Sequence, residues 1–319
     1  MSNLLTISPS PHAKGKDTVQ SIMWSVSLAL VPAFLFSLYM FGIGALVTTL
    51  VSVGFCMLFE WIVTKIFLHE QHHLRDGSAV LTGILLAFNL PSNISPFIVM
   101  VGAAVAIGVA KMSFGGLGKN IFNPALVGRV FLLISFPTQM TTWPKPVESR
   151  LNYLDAVTGA TPMSHDMLGK VDPVNMLFGM TGGSLGEVAA IALILGGIYL
   201  LWRRIITWHI PVSIIATVGI FSLIVWLITG NAGDNPLYQL LGGGLMLGAI
   251  FMATDYVTSP MSSTGKIIYG VGIGLLTVII RFWGNYPEGM SFAILLMNAV
   301  TPLINMKYKP TRFGESKSK

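Results

Sequence analysis

The sequence predicts an all-α integral membrane protein with about ten transmembrane helices, and three observations lead to that prediction. Hydrophobic residues make up 53% of the 319 residues and charged residues only 10%, whereas a soluble domain carries about 25% charged residues. Residues 21–59 contain no Lys, Arg, Asp or Glu, and residues 188–202 and 205–233 are also uncharged. A membrane-spanning helix needs about 20 mostly apolar residues. The first run therefore fits two helices, joined at the Gly-Ile-Gly of residues 42–44.

Ten apolar segments follow from the same pattern, and some of them are too short to cross a bilayer alone. The segments are residues 21–41, 45–67, 78–90, 96–112, 124–136, 185–202, 206–229, 236–253, 266–283 and 290–305. A helix of about 13 residues covers about 20 Å, less than the roughly 30 Å of the hydrocarbon core. We therefore expect protein rather than lipid around segments 78–90 and 124–136, whereas segment 290–305, at about 24 Å, is a borderline case.

The order of features in the two halves predicts a 5+5 inverted repeat with short and broken helices. In each half a short segment containing a glycine (Gly83, Gly248) precedes a proline (Pro91, Pro260), a full helix, a glycine-containing turn and a further helix. Five helices per half require the second half to be inverted, and such repeats hold their sites near the midplane of the membrane. The predicted organisation is an N-terminal segment 1–20, a first repeat 21–136, a loop 137–184, a second repeat 185–305 and a C-terminal tail 306–319.

The distribution of Lys and Arg predicts the orientation, because cytoplasmic loops carry the excess of positive charge. With the N-terminus inside, fifteen of the 19 basic residues are cytoplasmic and four are outside. We expect both termini in the cytoplasm and the loop 137–184 on the outer face. The polar first twenty residues are typical of a cytoplasmic lead-in rather than a cleaved signal peptide. The net charge of +6 then reflects cytoplasmic loops, and we expect no nucleic-acid partner.

Metal chemistry has little support in the sequence. The single cysteine, Cys56, excludes an internal disulfide and a four-thiolate cluster from this chain alone. His69, His72 and His73 stand close together, but no carboxylate or cysteine follows at a ligand spacing. An ordinary polar loop is the better interpretation, and we predict no metal site.

Two carboxylates, Glu60 and Asp255, lie at the ends of apolar segments, where a charge costs about 2.5–3.5 kcal/mol on insertion scales. A carboxylate at a helix end can reach the interface. The alternative is a role in binding a coupling ion. The residue pattern alone leaves both interpretations open.

The loop contains the sequence Asp155-Ala-Val-Thr158-Gly159-Ala160-Thr161 followed by a proline. Glycine and proline make this an ordinary surface turn on pattern alone. The alternative is a modification site, because the pattern resembles the one that carries phosphoester-linked FMN in membrane redox complexes, and a threonine hydroxyl can attack a pyrophosphate. The small Gly159 and Ala160 would leave room for a bulky group and for the modifying enzyme.

Several motifs in order resemble one family. They are Ser-Pro-Ser-Pro-His (8–12), Asp-Gly-Ser-Ala (76–79) with Leu-Thr-Gly (81–83), Gly-Gly-Leu-Gly-Lys-Asn-Ile-Phe-Asn-Pro-Ala (115–125), Thr-Gly-Ala-Thr (158–161), Met-Ala-Thr-Asp (252–255) and Tyr-Pro-Glu-Gly (286–289) with Ala-Ile-Leu-Leu (293–296). The chain is similar to the D-type subunits of Rnf complexes, the ion-coupled ferredoxin:NAD oxidoreductases. It also resembles the homologous B-type subunits of the sodium-pumping NADH:quinone oxidoreductases, which begin with a longer extension.

The resemblance implies specific cofactors and partners. It implies FMN linked through a phosphoester to Thr161, with Asp155, Thr158, Gly159 and Ala160 as its loop, and a non-covalent riboflavin near Asn120 and Asn123. Amide groups suit a flavin edge, which has donors and acceptors, although the same asparagines could serve only the backbone of a broken helix. It also implies a urea-transporter-like fold, a bacterial cytoplasmic membrane, the other Rnf subunits (A, B, C, E and G) as partners, membrane lipid, and a separate flavin transferase.

Three functions remain open at this point. The first is an electron-carrying subunit that moves Na⁺ or H⁺, in which the flavins do the chemistry and the protein fixes their position. The second is a solute permease on the same scaffold, since a fold alone does not determine function. The third is a structural anchor for other subunits. The Thr161 loop distinguishes the first function from the second, because a permease does not need it, whereas in the structural anchor a flavin on that loop would be incidental.

Overall fold

The computed structural model describes residues 18–68, 76–148, 150–151, 153–159, 161, 163, 173–187, 190–284, 286 and 288–309. The described chain is mostly helical. Its helices are α1 Val19–Phe41, α2 Ile43–Val63, α3 Ser78–Phe88, α4 Pro96–Ala104, α5 Pro124–Ser135, α6 Pro137–Met140, α7 Pro173–Leu177, α8 Ala190–Trp202, α9 His209–Thr229, α10 Pro236–Leu241, α11 Leu245–Leu247, α12 Ser263–Trp283 and α13 Met290–Lys307. A two-residue ribbon pairs β1 (Trp143–Pro144) with β2 (Thr158–Gly159) in antiparallel register.

Several helices of the described chain end in altered turns. The π-helical turns Thr64–Leu68, Val105–Val109 and Gly248–Met252 extend α2, α4 and α11. The 3₁₀ turns Met112–Phe114 and Ala232–Asp234 follow the π turn of α4 and the end of α9. A π turn changes the direction in which the following side chains point, and such turns are frequent at functional sites.

Six described helices are long and apolar enough to cross a membrane. They are Val19–Phe41, Ile43–Ile66, Pro96–Phe114, His209–Thr229, Ser263–Trp283 and Met290–Lys307. Only 28% of the apolar window of the first helix and 17% of that of the fourth is buried inside the protein. Large apolar side chains such as Leu35, Leu50 and Leu227 therefore point outward. Apolar faces of this extent require a non-aqueous environment or a partner, so the chain is a multi-pass membrane protein.

The turn between α1 and α2 confirms the predicted joint in residues 42–44. Gly42 has φ +57°, and a Cβ at this position would overlap the carbonyl oxygen of Arg150. Both the backbone angle and the contact require glycine here. The amide of Ile43 donates to the same carbonyl at 3.0 Å, so the long loop is bound to this turn.

The short helix α3 is enclosed by protein, as its length predicts. Eight of its 11 residues are buried. It packs closely on α2, because a Cβ on Gly83 would lie 2.6 Å from the Cα of Val53. The Ser52 hydroxyl donates to the Gly83 carbonyl at 2.8 Å. The glycine of the Leu-Thr-Gly motif is thus a helix-packing residue.

The glycine-rich turn between α4 and α5 depends on three left-handed residues, Gly115, Gly116 and Gly118, with φ of +100°, +89° and +89°. Asn123 then caps α5. Its side-chain oxygen accepts from the amides of Ala125 at 3.1 Å and Leu126 at 3.4 Å. Residue 124, a proline, occupies the first turn of the helix, where no amide hydrogen is needed.

The prediction of one continuous segment over 236–253 is wrong. The chain there forms α10, a turn at Gly242–Gly244 and then α11 with its π turn. Gly243 and Gly244 have φ of +65° and +66°. Glycines with left-handed backbone angles interrupt the helix although its apolar pattern continues.

The sixth predicted segment starts at residue 185, whereas residues 185–187 form a turn and α8 is described from Ala190. The amides of Leu185 and Gly186 instead donate to the carbonyls of Leu90 and Phe88, at 3.1 and 2.8 Å. These two amides therefore satisfy backbone carbonyls at the C-terminal end of α3, which have no partner within the helix.

The fifteen basic residues expected in the cytoplasm include Arg129 and Lys111, and the placement of Arg129 corrects that expectation. It lies buried in α5, where its guanidinium pairs with Glu288 and donates to the Ser291 hydroxyl at the start of α13. Lys111 is also buried, so both charges belong to the protein core. Without them the charge distribution is thirteen inside against four outside. The bias that supports the orientation therefore remains.

Candidate functional site

One cavity collects residues from four of the sequence motifs, and we call it the motif cavity. Its polar lining consists of Ser78, Thr82, Lys111, Asn120, Asn123, Thr254 and Asp255. Its apolar walls include Met23, Leu85, Leu117 and Phe251. The space between these lining residues is about 780 Å³, and part of it is open to the surroundings. An apolar cavity with a few converging polar groups is the arrangement expected for a small-molecule site.

Asn120 and Asn123 both line the motif cavity, although the hydrogen bonds described for their side chains go to the backbone. The Asn120 amide donates to the carbonyl of Phe122 at 3.0 Å. Asn123 caps α5 and also donates to the carbonyl of Met252 at 3.2 Å. The Asn123 side chain therefore joins the glycine-rich turn to the π turn of the second half.

A further amide fixes this junction from α13. With its amide oriented to satisfy its neighbours, Asn298 accepts from the backbone amide of Asn123 at 3.1 Å and donates to the Tyr269 hydroxyl at 2.6 Å. Tyr269 and Asn298 are both buried. Satisfied networks of this kind hold a buried polar site in one geometry.

Glu60 neither reaches the interface nor stands alone, because it forms a buried ion pair with Lys111. The distance from Lys111 Nζ to Glu60 Oε2 is 2.7 Å, and both side chains are 2% exposed. Lys111 Nζ also donates to Ser78 Oγ at 2.6 Å. The Ser78 hydroxyl donates in turn to Asp76 Oδ1 at 2.7 Å. Lys111 and Ser78 line the motif cavity, so this chain of contacts runs from the cavity to Glu60.

Asp255 also lines the motif cavity, in the turn after Met252. Burial raises the pKa of its carboxyl, while hydrogen bonds from the backbone of Val257 and from Thr258 act in the other direction. The Thr258 hydroxyl lies 3.3 Å from Asp255 Oδ2. The structure thus places the two predicted carboxylates differently, with Asp255 at the cavity wall and Glu60 behind Lys111.

The long loop (residues 137–184) is attached to the opposite end of α1 from the cavity. The amide of Val147 donates to the carbonyl of Met40 at 2.8 Å. The Tyr153 hydroxyl donates to the carbonyl of Ile94 at 2.6 Å. Met23, which lines the cavity, and Met40 are 17 residues apart in α1, or about 26 Å at about 1.5 Å per residue. The cavity and the loop therefore lie near opposite ends of α1.

The predicted modification loop is only partly described, since Ala160 lies outside the described residues. Thr158 pairs in the ribbon with Pro144 and is exposed, and Gly159 is half-buried. Asp155 is exposed. Thr161, in contrast, is 7% exposed. In this conformation the more accessible hydroxyl is that of Thr158.

The same loop also contacts the broken helix of the second half. A Cβ on Gly242 would lie 2.9 Å from Met163 Sδ, so the loop packs against the turn at Gly242–Gly244. Arg281 donates to the carbonyls of Gly242 and Gly243 at 2.9 and 3.1 Å. The carboxylate of Glu187 accepts from the amide of Gly243. Two charged side chains thus fix the surface on which the loop rests.

The described residues contain no group of three or more His, Cys, Asp or Glu placed to hold a metal ion. His69, His72 and His73 lie outside the described residues. Sequence reasoning missed the roles of Lys111 and Ser78. The available signals were a lysine that ends an apolar helix and a serine within the Asp-Gly-Ser-Ala motif.

Comparison with known proteins places these features in a family. The sequence matches the NQR2, RnfD, RnfE family over residues 6–314. The D-type subunit of a proton-translocating ferredoxin:NAD(+) oxidoreductase complex from Clostridium ljungdahlii is 45% identical, over 98% of this chain and 97% of the relative. The D-type subunit of the Na(+)-translocating complex from Acetobacterium woodii is 43% identical, over 99% and 97%. The D-type subunit of an ion-translocating oxidoreductase complex from Stutzerimonas stutzeri is 38% identical, over 94% of each chain.

Proposed function

The chain belongs to the NQR2, RnfD, RnfE family, and from that premise we propose that it is the D-type membrane subunit of an Rnf-type ferredoxin:NAD oxidoreductase complex. It carries electrons through FMN on Thr161 and through a riboflavin in the motif cavity, and it is coupled to translocation of Na⁺ or H⁺. The relatives from Clostridium and Acetobacterium differ in the ion that they are named for. The ion therefore does not follow from family membership.

The observation that best supports this proposal is the convergence of four separate motifs on one cavity. Each of four stretches contributes at least one residue to the cavity lining, namely residues 76–79, 81–83, 115–125 and 252–255. The apolar walls suit the ring system of a flavin, and the amides, hydroxyl groups and ammonium suit its polar edge. A flavin supplies electron transfer in one- or two-electron steps. The residues of the chain bind it, orient it and exclude water.

The architecture of the proposal is a 5+5 inverted repeat in the bacterial cytoplasmic membrane. The six long helices, the short α3, α5 and α8, and the broken α10–α11 segment supply the ten elements of such a repeat. We place both termini and segments 1–20 and 306–319 in the cytoplasm, the loop 137–184 outside, and the repeats at 21–136 and 185–305. The urea-transporter-like scaffold is part of the same proposal.

The separation of about 26 Å along α1 bears on electron flow. The proposed FMN lies on the outer side and the proposed riboflavin on the inner side. Cofactors of neighbouring subunits are therefore the natural connection to both, and the outward apolar faces of the helices suit subunit packing as well as lipid. We expect the A, B, C, E and G components of the complex as partners, together with a flavin transferase that loads Thr161.

The test is covalent flavin on the protein expressed with and without a flavin transferase. With the enzyme, the wild-type band should fluoresce under ultraviolet light in a denaturing gel, and the loop peptide should gain the mass of FMN. Thr161→Ala should lose both signals, whereas Thr158→Ala, the matched control, should keep the acceptor. Covalent flavin on Thr161→Ala would mean that the site is misassigned. A wild-type protein without covalent flavin would favour the permease instead.

A further inference from the structure

We propose that Lys111 transmits the charge of the ligand in the motif cavity to Glu60, because its ammonium group is shared between them. This inference rests on the proposed function for the presence of riboflavin in that cavity. It adds an assignment for a residue that no motif of the sequence singled out.

The first argument is position. Lys111 comes two residues after the π turn Val105–Val109, and it is one of the largest fully buried side chains of the described chain. It lines the motif cavity, whereas its partner Glu60 does not. The ammonium group therefore stands between the cavity and a carboxylate that has no direct contact with the cavity.

The second argument is hydrogen-bond capacity. A lysine ammonium has three protons and no acceptor. Within the described part of the chain, two of these protons are accepted, by Glu60 at 2.7 Å and by Ser78 at 2.6 Å. One proton remains for a ligand in the cavity. Because Ser78 donates onward to Asp76, its oxygen stays available to Lys111 when the ammonium moves.

The third argument is electrostatic. In a low-dielectric site a positive charge favours the ligand state that carries more negative charge. Two-electron reduction with uptake of one proton adds one negative charge to a flavin. The ammonium of Lys111 is then drawn toward the cavity and its attraction to Glu60 weakens. The Glu60 carboxylate becomes more available to a cation, and this links the redox state of the cavity to ion binding.

The experiment measures the midpoint potential of the non-covalent flavin by spectroelectrochemistry on the purified full-length protein. A Thr161→Ala background removes the covalent flavin from the spectra. Lys111→Met should lower the midpoint potential by about 30 mV or more. For a two-electron couple this corresponds to a tenfold change in the ratio of reduced to oxidised flavin at a given potential. Lys111→Arg is the matched control, because it keeps the positive charge. Its midpoint potential should stay close to that of the protein with Lys111.

The link to Glu60 is tested by a double-mutant cycle. Glu60→Gln should raise the potential when Lys111 is present, because the ammonium is released toward the cavity. It should have little effect in the Lys111→Met background. Shifts of equal size in both backgrounds would overturn the inference, as would a Lys111→Met protein with the wild-type potential and riboflavin content.

Two controls keep these outcomes distinct. If Lys111→Met does not fold because Glu60 loses this ion pair, the double variant Glu60→Gln/Lys111→Met is compared with Glu60→Gln. The double variant should have the lower potential, and equal potentials would overturn the inference. Absence of riboflavin from the protein with wild-type Lys111 would refute the proposed core flavin itself. This result is obtained before any Lys111 variant is made, so it is distinct from a failure of the inference about Lys111.

Discussion

Substitution of Gly83 by alanine tests whether the close packing of α3 on α2 shapes the motif cavity. The new Cβ would lie 2.6 Å from the Cα and 3.0 Å from the amide nitrogen of Val53. An unstrained carbon–carbon contact is about 3.5–4.0 Å. The obstructing atoms belong to the backbone, so the two helices must separate by about 1 Å. Overpacking of this kind costs about 1–3 kcal/mol.

Gly54→Ala is the matched control, because α2, the other helix of this pair, has open space there, with nothing within 4 Å of the added Cβ. Alanine favours the helix over glycine by about 1 kcal/mol at both positions, so that contribution cancels. Gly83→Ala should therefore be about 1–3 kcal/mol less stable than Gly54→Ala.

Thermal unfolding in detergent, followed by intrinsic fluorescence, measures the difference in stability. Riboflavin content provides a second readout, since α3 supplies Ser78, Leu81, Thr82 and Leu85 to the cavity wall. We expect Gly83→Ala to retain less riboflavin than Gly54→Ala. Equal stability and equal riboflavin content in the two variants would refute the packing argument.

Four further predictions follow from the site and the orientation. An impermeant thiol reagent should label Arg150→Cys in intact cells and should not label Ser316→Cys, in a background without the native cysteine; the reverse pattern would invert the topology. Asn123→Ala should lower riboflavin content and leave covalent FMN unchanged, as measured by extraction of both flavins. Arg281→Gln should lower stability in a thermal melt by about 1–3 kcal/mol, because buried carbonyls lose a charged donor. Glu60→Gln should slow ion-coupled turnover of the assembled complex while both flavins stay bound, and normal pumping would exclude a coupling role.

The sequence alone was sufficient for the membrane class, for most helix positions and for the family. Apolar length is a local property, so the first two helices and their joint at Gly42 follow directly from it. The predicted shielding of α3 is confirmed by its burial. The break at Gly242–Gly244 was missed, because an apolar pattern does not reveal which glycines adopt left-handed angles.

Within the candidate site, the sequence supplied the residue types but not their pairing. Asn120 and Asn123 were singled out from the family resemblance and Asp255 as a carboxylate at the end of an apolar segment, and the tertiary structure places all three on one cavity. The pairing of Lys111 with Glu60 could not be predicted, because the two residues are 51 positions apart along the chain and lie on different helices. Local patterns carry no information about that distance.

The tertiary structure alone decided which charges are buried. Lys111 and Arg129 look like cytoplasmic residues in the sequence, but each meets a carboxylate inside the helical core. It also decided that Thr158 is exposed while Thr161 is enclosed. The physical reason is that apolar length fixes which segments enter the membrane, whereas helix packing fixes which polar groups meet there. A buried charge is tolerated only where that packing provides its partner.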